Sequence, residues 1–185
     1  WDSKTASSAS HILTAIARDA AGNITTSIAV TVTVANAVVL PPDSIVPTGP
    51  GWHELPNTKL RPLCPPGVPG ASGCASVISA WNSGVFDTKR DRLILWGGGH
   101  SDYYGNELYA LNLETSTVER ITDPGQPFAD PVVCTAVIAN GTQPNSRHTY
   151  DHISYLAHVD KMFVYGGGPA CSRGFNSFDT WTFDF

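Results

Sequence analysis

The sequence predicts an all-β protein in two parts, and three observations predict it. Glycine (17) and proline (14) are abundant and methionine occurs once, a composition suited to short strands and tight turns, because helix interiors exclude both residues. Two runs near the N-terminus alternate apolar and polar residues at period two. Beyond them a stretch of the chain aligns with a later stretch at a constant offset of 69 residues, the mark of an internal repeat. Over the 185 residues, 42% are apolar and 15% charged, enough hydrophobic material for a core and too little charge for a disordered chain.

The first run is His11–Asp19 (HILTAIARD) and the second Ile24–Val34 (ITTSIAVTVTV), which places Ile24, Ile28, Val30, Val32 and Val34 on one face. Between them DAAGN supplies Gly and Asn for the positive φ of a hairpin turn. Two strands are marginal alone in water, so the expectation is that strands upstream complete this sheet. Residues 1–36 resemble the last two strands of bacterial immunoglobulin-like modules, on the wording LTAIARDAAGN followed by the long Thr/Val run. The resemblance implies the C-terminal hairpin of such a sandwich. Residues 37–50 (AVVLPPDSIVPTGP) carry Pro41, Pro42, Pro47 and Pro50 and read as an extended, semi-rigid linker.

Residues 51–185 form the second part. After Trp52 comes a loop-rich stretch, CPPGVPGASGC, and then the repeat. Ala80-Trp81 aligns with Thr149-Tyr150, Asp91–Trp96 with Asp160–Tyr165, and Gly97–Gly99 with Gly166–Gly168; beyond a loop, Leu108–Leu111 aligns with Thr180–Phe183 at an offset of 72. Each unit reads as strand, turn, apolar strand, Gly-Gly-Gly, loop and a strand bearing an aromatic, and Thr117–Thr122 is the fourth strand of the first unit. The segments RLILWGGGHSDYYGNELYALNL and KMFVYGGGPA with DTWTFDF resemble the kelch repeats of galactose-oxidase-like β-propellers. The resemblance implies about two blades of a ring that needs about four to eight, so the remaining blades are expected to lie outside this chain. Asp123–Ser146 is a long connection between the units.

The net charge is −5 with a pI near 5.6, and Lys and Arg are scattered, which gives no footprint for nucleic acid. The apolar stretch Ala35–Leu40, interrupted by Asn36, is too short to cross a bilayer, so no membrane insertion is expected. Four cysteines in loop-like contexts suit two disulfides, Cys64 with Cys74 and Cys134 with Cys171, and hence a secreted or cell-surface protein whose signal peptide lies outside this sequence; four reduced, buried thiols are the alternative. No C-x-x-C or C-x-H spacing points to a metal.

In a blade of antiparallel strands the end of strand 2 and the start of strand 1 share a face. His100, Ser101, Asp102, Tyr103, Tyr104 and Asn106 follow strand 2 of the first unit, and Arg147 and His148 open strand 1 of the second, so the two sets are expected to meet. His100 and His148 can share proton transfer, with Tyr103 or Tyr150 as a phenolic acid or base and Arg147 neutralising a substrate carboxylate. That is the chemistry of a uronate-cleaving lyase. The candidate catalytic set is therefore His100, Tyr103, Arg147 and His148, with Asp102, Tyr104, Asn106 and Tyr150 as ligand-binding residues. The competing expectation is structural: His100, Asp102 and Asn106 bonding a Gly-rich loop, and Arg147, His148 and Asp151 tying blade to blade. Trp81, Trp96, Trp181, Tyr109 and Tyr165 read as packing aromatics, which leaves Tyr103 and Tyr104 for stacking on a sugar. His100 and Asp102 alone make too few ligands for a metal, and no copper-radical motif is visible, so no cofactor is expected. Two functions follow: an extracellular propeller binding a polysaccharide or cell-surface glycan, or a polysaccharide-active lyase.

Overall fold

The computed structural model describes residues 3–34 and 47–185, which belong to two compact units, Trp1–Pro42 and Asp43–Phe185. Of the proline-rich segment 37–50, residues 47–50 are exposed and the rest lies outside the described residues.

In the first unit β1 (Ser10–Leu13) pairs antiparallel with β4 (Val30–Thr33), and β2 (Ile16–Arg18) with β3 (Ile24–Thr26). The turn forms where the sequence predicts it, because Asp19 folds its carboxylate back on the chain: Oδ1 accepts from the amides of Ala21 and Asn23, and Oδ2 from the Asn23 side chain. The long strand expected over Ile24–Val34 is broken. Ser27 donates its amide to the Ala15 carbonyl and takes the Ala15 amide on its Oγ, and the pairing shifts by one residue across Ser27–Ala29. An extra residue reverses the alternation of side chains, so one apolar face does not run from Ile24 to Val34, and Ile24, Ile28 and Val30 are exposed.

The second unit is built on two antiparallel sheets. β5 (Gly84–Asp87), β6 (Arg92–Leu95), β7 (Tyr109–Asn112) and β8 (Thr117–Arg120) form a four-stranded meander in sequence order. A two-stranded ribbon, β9 (Val137–Ile138) with β10 (Gln143–Pro144), lies in the long connection. In the second sheet β11 (Arg147–His148) and β12 (Ile153–Leu156) pair with β13 (Lys161–Pro169), which also pairs with β14 (Ser177–Asp184). β11 and β12 are two halves of one interrupted edge: His148 lies opposite Gly168, and the pairing resumes with Ile153 opposite Val164. Gly166–Gly168 thus lies within β13, near its end. The only α-helix among the described residues is one turn, Ser76–Ser79.

Alternation along the strands decides what each face buries. Val85, Ile94, Trp96, Leu108 and Ala110 from the first sheet pack with Ile153, Met162 and Val164 from the second, flanked by Tyr155, Trp181 and Phe183. The opposite face of the first sheet presents Leu95, Tyr109 and Val118, and is covered by Leu60, Leu63, Cys64, Cys74 and Val77. Both predicted disulfides are present, Cys64–Cys74 and Cys134–Cys171. The turns into β6 and β13 are repeat-equivalent, with Asp91 at φ 47° and Asp160 at φ 57°. Asp160 also ties the sheets together by accepting from Lys89, Arg90 and the Tyr155 hydroxyl.

Candidate functional site

The end of β6 and the start of β11 meet. The Gly98 amide donates to the Arg147 carbonyl at 2.9 Å, and the His100 and His148 rings lie 4.4 Å apart at 36°. Glycine is required at the crossing: a Cβ on Gly99 would fall on the His148 amide, and its φ is 74°. On the far side the Cys171 amide donates to the His100 carbonyl at 2.8 Å, so the Cys134–Cys171 bridge holds the loop that seats His100.

His148 is the centre. Its Nδ1 is 2.5 Å from the Ala80 carbonyl, which can only accept, so Nδ1 carries the proton and neutral Nε2 keeps its lone pair. Nε2 faces Asp102 Oδ2 at 3.6 Å. Burial lowers the His148 pKa below 6.5, with His100 beside it acting the same way and the Ala80 and Asp102 oxygens opposing. Trp81 meets the ring edge-on with centroids 5.3 Å apart, and Tyr150 stands at 5.9 Å.

Trp81 and Tyr150 are repeat-equivalent and share a conformation: φ is 50° at one and 49° at the other, and the Tyr150 amide donates to the Trp81 carbonyl at 2.8 Å. A bulky aromatic in the left-handed region is rare and strained, and His100 at φ 42° adds a third such residue beside His148. Trp81 is 68% exposed and Tyr150 46%. His152 and Tyr165 extend the row outward, with centroids about 6 Å apart at each step. The packing role expected for Trp81 and Tyr165 is therefore corrected, since both face solvent, whereas Trp96 and Tyr109 are buried and Trp181 half-buried.

The other predicted residues go elsewhere. Tyr103 is 1% exposed and donates its hydroxyl to Glu107 Oε1 at 2.6 Å, as Tyr109 does at 2.7 Å. Burial, then Glu107, pushes both phenols far above the usual range. Tyr104 is buried with Ala129, Ile138 and Ala170, so neither loop tyrosine is available for stacking. Asn106 is a bracket, donating to Gln143 and the Pro144 carbonyl while accepting from Gly125. It also lines a cavity of about 260 Å³ between the sheets, with Trp96, Leu108, Met162 and Trp181.

Arg147 is wholly buried. It donates to Asp179 through both terminal nitrogens (2.7 and 3.2 Å) and to the carbonyls of Asn145, Gly166 and Ala136. Burial alone would raise the Asp179 pKa, but hydrogen bonds from Arg147, Ser177 and Trp181 outweigh it and bring the value to about 2. Sequence reasoning missed Glu107 and the exposure of Trp81. The repeat alignment held the signal for the second, since it sets Trp81 against Tyr150, immediately after the β11 histidine.

Among the described residues no group of three or more His, Cys, Asp or Glu side chains is arranged to hold a metal, and no helix is long and apolar enough to cross a membrane. Comparison with family models, curated proteins and solved structures finds no match.

Proposed function

We propose that this chain is part of an extracellular kelch-type propeller that binds carbohydrate at the rings around His148. The observation that carries the reading is the pair Trp81 and Tyr150: equivalent positions of two repeat units, both in the left-handed region, both exposed, and both beside a buried histidine. Exposed aromatic faces bind the apolar C–H face of a sugar, and neighbouring acceptors such as Asp102 orient its hydroxyls. Two meandering antiparallel sheets sharing a core support adjacent blades, and two disulfides suit an oxidising compartment.

The lyase alternative asks more of residues already occupied. Arg147 is saturated by Asp179 and three carbonyls, and the Tyr103 hydroxyl by Glu107, which leaves only His100, buried His148 and exposed Tyr150 of the catalytic constellation without such a partner. Binding is accordingly the reading preferred.

The test is titration of the full chain with soluble polysaccharides, neutral and charged. Trp81→Ala and Tyr150→Ala should each weaken binding about 10-fold, the scale of one aromatic contact at the centre of an interface, with melting temperature unchanged. Binding indifferent to both substitutions, or release of unsaturated sugar products, would displace this reading.

A further inference from the structure

The same site carries an inference about which sugar it takes, and it rests on the carbohydrate-binding reading. Two polar atoms that face one another at its centre are acceptors. His148 Nε2 has no proton while the ring is neutral, and Asp102 Oδ2 faces it at 3.6 Å, too far for a hydrogen bond and with no hydrogen to share. Asp102 Oδ1 has one long contact, from the Ser72 hydroxyl at 3.4 Å. The His148 side chain is almost fully buried and that of Asp102 is 31% exposed, so a ligand reaches the carboxylate first. Beside them stand the aromatic rings of Trp81 and Tyr150, a ring type that attracts cations. The cation expected to greet a carboxylate, Arg147, is buried and neutralised by Asp179.

We infer that the site prefers sugars bearing a free, protonated amine over N-acetylated sugars and over uronates, and that Asp102 sets this preference. An ammonium supplies three donors, enough to bridge Asp102 Oδ2 and His148 Nε2, while Trp81 or Tyr150 lies against the ring. An acetamide has one N–H and no charge. A uronate would set its carboxylate against Asp102.

The experiment is calorimetric titration of the full chain with three tetrasaccharides: β-1,4-glucosamine, its N-acetylated counterpart, and galacturonate. The glucosamine oligomer should bind at least 10-fold more tightly than the acetylated one, the scale of a charge-assisted hydrogen bond. Asp102→Asn should bring the two together, whereas Trp81→Ala should weaken both alike. Asp102→Asn is a fair probe because the backbone, not the side chain, holds this loop: the Asp102 carbonyl accepts from Ser72 and Gly73, and its amide donates to Gly99. An unchanged melting temperature verifies it, and Asp102→Ser gives a second variant should the first unfold. Equal or tighter binding of the acetylated oligomer, still sensitive to Trp81→Ala, overturns the amine preference and leaves the carbohydrate reading standing. Tightest binding of galacturonate overturns it in favour of an anion site. No binding of any oligomer at millimolar concentration ends both readings.

Discussion

Arg147 and Asp179 form a pair in which one partner is entirely buried and the other one-quarter exposed. Removing the carboxylate strands a buried guanidinium that still donates to three carbonyls, so Asp179→Ala should cost about 2–3 kcal/mol, short of the full penalty of breaking a closed pair. Urea unfolding at neutral pH measures it. The acid limb carries its own signature. The folded pKa of about 2 lies below the ordinary 3.8, so the contribution is fully present above pH 4 and is lost as pH falls toward 2. Asp179→Asn should flatten that part of the stability profile. His148 acts in a different window with the same sign: its pKa is lowered from 6.5, so the unfolded chain takes up a proton that the folded one refuses. Stability should fall as pH drops through 6.5 until the native ring protonates, and His148→Asn should remove that slope below pH 6.5. A slope that survives the substitution assigns the titration to another group.

At the scale of elements, the segment before β5 has almost no regular structure, yet it closes the outer face of the first sheet. Leu60, Leu63, Val77 and the Cys64–Cys74 bridge lie on Leu95, Tyr109 and Val118, and the Tyr109 hydroxyl is 3.2 Å from Cys74 Sγ. A bridge between residues ten apart restricts the unfolded chain by about 2–3 kcal/mol. Cys64→Ala with Cys74→Ala should lower unfolding stability by that amount and raise solvent quenching of tyrosine fluorescence, because Tyr103 and Tyr109 lose their cover. Both disulfides were legible from spacing, as were the strand cores Arg92–Leu95 and Lys161–Tyr165, since period, glycine and turn residues act over a few positions. The break in the N-terminal strand was not. Ser27 captures the Ala15 amide twelve residues away, and that pairing leaves no trace in a pattern of alternating Thr and Val.

At the scale of the whole molecule, the two sheets use one face each for their shared core, and the outer face of the second sheet is less well covered. Tyr165 and Phe178 are exposed there. Exposed apolar surface favours association. The chain should therefore bind a hydrophobic dye and elute in size exclusion at a volume that depends on concentration, and Tyr165→Thr with Phe178→Thr should reduce both effects without unfolding it. An elution volume insensitive to the pair of substitutions counts against this face.

Local order was within reach of the sequence alone: β structure throughout, a repeat in register at 69 residues, two cysteine pairs, and the meeting of the loop after β6 with the start of β11. These follow from spacing along the chain, because strand periodicity and antiparallel order are properties of neighbours in sequence. Only the tertiary structure decided which polar and aromatic side chains remain free. Arg147 and Tyr103 have the chemistry of a site, but the chain brings Asp179 and Glu107 to them, and a satisfied buried group has nothing left to offer a ligand. Trp81 looks like core but is exposed in the loop before β5, with a left-handed backbone like that of Tyr150 beside it. Whether a side chain is consumed or presented depends on partners distant in sequence, and that is settled by packing rather than by pattern.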